Sequence, residues 1–471
     1  MTKENLKRIF ISIMVIYTAL VVSFYFLGGD QIRYRVSSGN MVMPDATAVT
    51  DEITAGKIIS QDFENEIEHI EKLEIVFTKF YRDASGIISV SLYDGNKALV
   101  RNTMKLYDVP EQSRIYLIPE EPLSGLKGKT LTLKIYTTAK PNHGVAVMMR
   151  RDWPGTINMN GTDVPGSLCF SVTGYDDNPF GEYYWHIVGT IGVLLGAALL
   201  TSYRLYLKGK RTYIVSAIAA IYQYEFLISQ LVIRDFKSKY KRSILGIFWS
   251  FLNPLLTMTV QFLVFSTFFK ANTQNYPVYL LSGVVCFSFF NECTTMCLTS
   301  ISGNARLITK VYIPKYIFPL ARTISSSVNL AISLVPLFLA CLVLGVTIRP
   351  QALLFFYFLA CLIVFSLGIG LFLSALMVFF RDIQFLWTVL IQIWQYATPI
   401  FYPAEIVPEK YRFILRFNPL YHFIGNARTC LIDGISPEPR AYIFCFLFAL
   451  ASILIGSYVF KKTQDKFALY L

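Results

Sequence analysis

Hydrophobic positions in this chain follow two rhythms. Long, mostly uncharged apolar runs occupy 9–27 and 185–203, then 244–269, 278–301, 317–344, 353–380, 385–401 and 442–460. About 20 such residues cross a hydrocarbon core as a helix, and a helix satisfies its own backbone where no water can. The pattern therefore predicts a polytopic α-helical membrane protein with eight spans. The run at 9–27 is long, lacks a small-residue cleavage site and precedes further spans, so it reads as an anchor and not as a cleaved signal. Gly192 and Gly196 have the small-xxx-small spacing that lets helices approach closely.

Between the first two runs the rhythm changes. Residues 73–81, 87–93, 98–106, 114–118, 131–137 and 145–149 are short, rich in β-branched and aromatic residues, and separated by turn signals such as Asp94-Gly95 and the glycines of 125–128. They predict an antiparallel β-sandwich, with a jelly-roll as its expected form. The sandwich is expected to start near 61–66, after a stretch at 28–58 with poor periodicity.

Lysine and arginine set the orientation, because positive flanks stay in the cytoplasm. Lys3, Lys7 and Arg8, the group Lys208, Lys210 and Arg211, the run 234–242, Arg306 with Lys310 and Lys315, Arg381, and Lys461, Lys462 and Lys466 share one side if the crossings are even in number. The stretch 212–233 imitates a span, but Gln223, Glu225 and Gln230 interrupt it, and letting it cross would put 234–242 outside. It is expected instead as a helix in the inner interface, with Phe226, Ile233, Phe236 and Tyr240 on one face and Arg234, Lys237 and Lys241 on another. The chain then divides into a cytoplasmic tail with the first span (1–27), an extracytoplasmic β domain (28–184), a second span with a basic flank (185–211), the interface helix region (212–242) and a six-span domain (243–471) whose segment 402–439 re-enters at the outer side.

Composition narrows the function. The net charge of +12 is unevenly placed, with 16 Lys and Arg against 21 Asp and Glu in 28–184 and 27 against 10 elsewhere. The basic excess is thus membrane flank and not a nucleic-acid surface. Of eight cysteines only Cys169 lies in 28–184, so that domain closes no internal disulfide. Cys293 and Cys297 share a helix face but, like the other span cysteines, read as small apolar groups. His69, His143, His186 and His422 are scattered without metal-ligand spacing, and no nucleophile turn is present. The one candidate phosphate loop, Gly128-Lys129-Thr130, lacks the glycine five positions earlier. Nothing here builds an ATPase or another enzyme.

Four blocks in order carry a family resemblance. Residues 234–254, reading RDFKSKYKRSILGIFWSFLNP, resemble the opening signature of polysaccharide-exporting type-2 ABC permeases, the O-antigen, capsule and teichoic acid exporters. Residues 304–319, NARLITKVYIPKYIFP, are similar to that family's cytoplasmic loop after its second span. Residues 379–383, FFRDI, resemble its inner turn before the fifth span, and 398–403, TPIFYP, followed by Asn418-Pro419-Leu420, resemble its outer re-entrant segment. The likeness covers 220–471; residues 1–211 depart from the usual six-span permease.

The resemblance implies two permeases joined to two ABC ATPase subunits, with ATP and Mg on the ATPase and no cofactor on this chain. It implies membrane lipid and a lipid-linked polysaccharide as further partners, no nucleic acid, and a multi-pass location in a bacterial inner or plasma membrane with both termini cytoplasmic. Arg234, Asp235, Arg306, Lys310, Tyr312, Pro314 and Lys315 would couple to the ATPase, against the plainer reading of a solvated basic loop. Arg381 and Asp382 form the inner turn, where an ion pair or helix-end contact serves structure equally well. Asn291 and Glu292 would line the path, because an ionisable group at that depth faces water or a bundle interior; a helix-packing hydrogen bond competes. Pro399, Pro403, Asn418 and Pro419 would form a gate at the outer mouth. Tyr93, Tyr107 and Trp153 are candidate glycan contacts, although an aromatic residue in a sandwich is more often core or turn packing. A type-2 exporter of a small molecule or drug, and a membrane-anchored carbohydrate-binding scaffold, are the alternatives. A membrane glycosyltransferase would need a cytoplasmic carboxylate pair that these short inner loops do not offer.

Overall fold

The computed structural model describes residues 3–39, 48–79, 83–108, 114–210, 212–241, 244–246, 248–269, 275–311 and 313–470. They form two compact units, Ile32–Tyr183 on one hand and Met1–Gln31 with Tyr184–Leu471 on the other.

The first unit is made of two antiparallel sheets. One runs, in spatial order, Thr162–Pro165, Thr156–Met159, Ile58–Glu64, Thr130–Thr137, Ile87–Asp94 and Lys97–Lys105. The other is centred on His69–Thr78, flanked by Phe170–Asp177 and Ala146–Arg150, with Tyr34–Gly39 on the far side of Phe170–Asp177. Alternation drives the packing: in Thr130–Thr137 the side chains of Leu131, Leu133 and Ile135 are buried while Thr130 and Tyr136 face out. Phe63 of one sheet and Phe170 of the other meet at 4.9 Å between ring centroids, inside a core that also holds Leu73, Ile75, Val90, Leu92 and Val172. Ile58–Glu64 runs close to the expected start near 61–66, but the first strand lies earlier, at Tyr34–Gly39, and the short strand Ala48–Val49 also falls inside the stretch read as irregular. Tyr34–Gly39 was hidden by its serines and glycine; it is held by backbone pairing to Phe170–Asp177, which needs no apolar pattern.

The second unit is helical. Its longer helices are α1 (Lys3–Leu27), α2 (Tyr184–Leu207), α3 (Tyr213–Tyr240), α4 (Phe248–Phe269), α5 (Tyr276–Leu298), α6 (Ile317–Val343), α7 (Phe355–Phe379), α8 (Ile383–Ala397), α9 (Glu409–Arg416), α10 (Pro419–Arg428) and α11 (Pro439–Thr463). Among the described residues seven helices, α1, α2, α4 to α7 and α11, are long and apolar enough to cross a membrane. The run at 385–401 is only partly helical: α8 has 15 residues and ends at Ala397, about 22 Å of helix, and the rest of the run continues as non-helical backbone. Pro399 explains the early end, since the residue before a proline avoids the helical region, and Thr398 is extended at φ −102° and ψ 131°.

Close backbone contact replaces bulky packing at two seams. A β-carbon on Gly456 of α11 would sit 2.1 Å from the carbonyl oxygen of Gly368 on α7, so only glycine fits there. Gly192 of α2 faces Tyr17 of α1, whose hydroxyl donates to the carbonyl of Val188 at 2.6 Å. Pro254 inside α4 cannot donate to Ser250, and the hydroxyl of Ser333 on α6 reaches that carbonyl instead, at 3.2 Å.

Candidate functional site

Two polar clusters interrupt the apolar interior of the helical unit. The first starts at the C-terminal end of α3, whose Ile228 and Leu231 sink into a core with Ile301, Ile317 and Phe318. One turn further along the same ridge, Asp235 is buried, with Arg322 Nη1 of α6 at 2.8 Å from one carboxylate oxygen and Arg234 Nη2 at 3.1 Å from the other. Arg234 also donates to Asn304 Oδ1 at 3.0 Å, and Asn304 donates to the Ser300 carbonyl at 2.7 Å, so the loop after α5 is tied to the same carboxylate. Next to it, Lys239 Nζ and Asn329 Nδ2 converge on Glu292 Oε1 at 2.8 Å and 2.6 Å. The Tyr240 hydroxyl donates to Asn329 Oδ1 at 3.1 Å and meets Ser250. This second set joins α3, α4, α5 and α6, and both sets border an open cleft of about 670 Å³ lined by Arg234, Asp235, Lys239, Glu292, Asn304 and Arg322. Asp235 is the buried member, and a buried carboxylate holds its geometry only while it is partnered.

The second cluster surrounds the non-helical stretch after α8. Its carbonyls cannot be left bare among apolar side chains. Arg428 donates to Pro399 O at 2.7 Å and to Ile400 O at 3.0 Å. Tyr276 donates to Phe401 O at 2.6 Å, and Tyr279 to Tyr402 O at 3.0 Å. Asn418 caps α10 through the amide of Leu420, accepts from Trp394 Nε1 at 2.9 Å and donates to Thr398 Oγ1 at 2.9 Å. A polar cavity of about 500 Å³ adjoins this stretch, with Tyr421, His422, Asn426, Thr429 and Asp433 among its walls.

Comparison with known proteins bears on both clusters. Residues 227–432, which contain them, match the ABC-2 type transporter family. The chain is 28% identical over 251 residues to an O-antigen export system permease protein RfbA of Klebsiella pneumoniae, covering 52% of this chain and 96% of that protein. The RfbA of Myxococcus xanthus is 25% identical over 256 residues, 54% of this chain and 98% of its own length. The polysialic acid transport protein KpsM of Escherichia coli is 21% identical over 244 residues, 50% and 93% respectively. The second half of this chain is thus similar to type-2 ABC permeases. These relatives match over nearly their full length while reaching only about half of this chain, so the β unit has no counterpart in those alignments.

Within the permease half, the sequence-predicted residues separate. Arg234 and Asp235 sit together in the first cluster, joined by Arg322, which no motif flagged because it stands alone in the apolar run of α6. Arg306 and Lys310 are exposed on the short helix Ala305–Lys310. Lys315 is engaged, its ammonium donating to the carbonyl of Gln464 and lying 5.7 Å from the Phe467 ring centroid. Pro314 is half-buried between them in sequence, and Tyr312 lies outside the described residues. Glu292 belongs to the cleft, whereas Asn291 points away from it and accepts from Thr295. Pro399, Pro403 and Asn418 meet at the second cluster, with Pro419 opening α10. Arg381 and Asp382 are exposed at the turn before α8. Arg428, the centre of the second cluster, escaped sequence reading because one arginine in a polar-apolar mixture carries no period.

In the β unit, Tyr93, Tyr107 and Trp153 lie on three elements. Tyr93 faces outward on Ile87–Asp94, with Lys134 Nζ 4.6 Å above its ring and Arg101 Nη2 at 3.2 Å from its hydroxyl. Trp153 follows the strand Ala146–Arg150 of the other sheet, with the Arg150 guanidinium 5.4 Å from its ring centroid. Tyr107 is exposed in the turn Leu106–Asp108.

Proposed function

We propose that this chain is the membrane subunit of an ATP-driven exporter of lipid-linked polysaccharide, an O-antigen, capsule or teichoic-acid-like polymer, in a bacterial inner or plasma membrane. The observation that carries it is the match of residues from its second half to O-antigen and polysialic acid export permeases over nearly their whole length. Two copies form the path, and two ABC ATPase subunits with ATP and Mg drive it. Both termini and the basic flanks of 208–211 and 234–242 lie inside, and residues 28–184 lie outside. The chain crosses eight times, the seventh crossing being α8 continued by the extended stretch 398–403, whose side-chain-satisfied carbonyls suit membrane depth.

Force enters through two contacts. The exposed Arg306 and Lys310 on a short helix, followed by Pro314, suit a rigid element docked into an ATPase cleft. Arg234 and Asp235 relay its motion, because one carboxylate ties α3 to α6 and to the loop after α5. Glu292 lies at the inner mouth of the path and the stretch 398–403 with α9 and α10 gates its outer mouth. The emerging glycan meets the outward face of the sheet that carries Tyr93, Arg101, Lys134 and Tyr136, which offers aromatic faces beside cations.

Co-expression with the cognate ATPase tests this reading. A purified complex should hydrolyse ATP, and replacing 310–315 by a flexible linker should abolish the turnover while the complex stays assembled. Unchanged turnover removes the coupling assignment, and normal surface polymer in cells lacking this chain removes the cargo.

A further inference from the structure

The second cluster contains a cation with an unusual environment. Arg428 is buried, and its recorded partners are all neutral: the carbonyls of Pro399 and Ile400, the carbonyl of Tyr279 at 2.9 Å, the hydroxyl of Ser282 at 3.3 Å, and the ring of Tyr279, whose centroid is 3.5 Å from the guanidinium carbon. A guanidinium removed from water is costly unless its donors are met. Here two segments supply the acceptors, α5 and the non-helical stretch after α8. The same stretch gains no helical or sheet ladder at Pro399 and Ile400; Arg428 donates to both carbonyls, and the Tyr279 hydroxyl also reaches Pro399 O at 3.3 Å.

The opposing helix is shaped around this arrangement. A β-carbon on Gly283 of α5 would fall 2.2 Å from Arg428 Nη2 and 3.1 Å from Ile400 Cγ2. Glycine at that position lets guanidinium and stretch pack against the α5 backbone together. Since α5 supplies Tyr279, Ser282 and Gly283 from adjacent turns, Arg428 bridges a long helix to the break that follows α8.

We propose that Arg428 is the latch of the outer re-entrant segment: seated over Gly283, it holds the Pro399–Ile400 carbonyls against α5, and releasing those two bonds loosens the stretch there, while Tyr276, Tyr279 and Asn418 keep its neighbours tied. This rests on the proposed gate at 398–403. Arg428 is a positioning residue that acts through the stretch, and no contact with cargo is assigned to it. Charge alone is insufficient, because a lysine cannot span two carbonyls of the stretch and two acceptors of α5 with a planar fork.

Cys286, one turn beyond Ser282 on α5 and buried, is a native reporter of the latch, and Cys297, buried toward the other end of the same helix, is its control. In single-cysteine versions of the full complex in lipid nanodiscs, a polar maleimide should leave both thiols unmodified while the latch is closed. Arg428→Gln and Gly283→Ala should each raise the rate at Cys286 at least about tenfold, the factor expected for losing one charge-assisted hydrogen bond, with Cys297 still protected. Arg428→Lys should fall between wild type and Arg428→Gln. Should Arg428→Gln fail to accumulate, Gly283→Ala, which removes no atom, decides the matter alone. Equal protection of Cys286 in Gly283→Ala and wild type, or exposure of Cys286 and Cys297 together, overturns the latch. A separate cysteine replacing exposed Glu438 reads the gate's position: labelling by an impermeant reagent in intact cells supports an outer location, and protection there sinks the gate, and the latch with it.

Discussion

Asp235 is a carboxylate shared by two guanidinium groups, and its burial makes that arrangement consequential. Asp235→Asn keeps the shape but leaves Arg234 and Arg322 facing each other. The cost of breaking a buried pair is reduced here because Arg234 is half exposed, so about 1–3 kcal/mol is expected, read as a lowered melting temperature of the purified complex; restoring stability with Arg322→Met would confirm that the loss is electrostatic. A second residue-scale effect concerns pH. Cys169 is buried in the β unit, and desolvation pushes its thiol up to about 11. Below the unfolded value of 9.0 both states are protonated and the contribution is complete; as pH rises toward the folded value only the unfolded thiol ionises, so stability falls by about 2 kcal/mol. Denaturant unfolding of a 32–183 fragment between pH 8 and 11 should show this loss, and Cys169→Ala should flatten it. The sequence exposed Asp235 through its motif, yet it could not expose Arg322 or Arg428. A lone arginine in an apolar run has no period to betray it; only three-dimensional convergence gives it partners.

Element lengths were more legible than element ends. The apolar runs located seven of the long helices, because a stretch that must meet lipid or a packed core shows its composition directly. The run at 385–401 promised more helix than forms, since hydropathy averages over Pro399 while the helix stops at Ala397. In the β unit the alternating strands were readable, whereas Tyr34–Gly39, paired through its backbone to Phe170–Asp177, was not. Two predictions belong to this scale. Gly456→Val would force α11 away from α7 at a contact with no slack, and the variant should fail to accumulate in membranes or melt well below wild type. Asn418→Ala removes the cap of α10 and the bonds to Trp394 and Thr398, with an expected loss of about 1–3 kcal/mol in thermal unfolding; Asn418→Asp, which keeps the capping oxygen, should recover part of it.

At the scale of the molecule the question is what a β unit adds to a permease whose relatives align without it. The ends of that unit suggest a clean way to ask. Tyr34 pairs with Asp177 across an antiparallel ladder, so the chain begins and ends the sandwich at neighbouring positions, about 5 Å apart. Residues 34–177 can therefore be excised and replaced by a three-residue Gly-Ser linker without stretching the flanks, and the core of the sandwich leaves with them because its buried residues lie within that interval. The two clusters of the helical unit draw no residue from it. The excised protein is accordingly expected to accumulate in the membrane, bind its ATPase and hydrolyse ATP at a rate within about twofold of wild type, as sites that share no partners behave independently. Surface polymer should fall or change in chain length if the sandwich handles the emerging glycan, which immunoblotting of extracted polysaccharide measures directly. Loss of ATP turnover on excision would mean instead that the sandwich is part of the motor's cycle, and the proposed division of labour between the helical half and a glycan-facing sandwich would have to be given up.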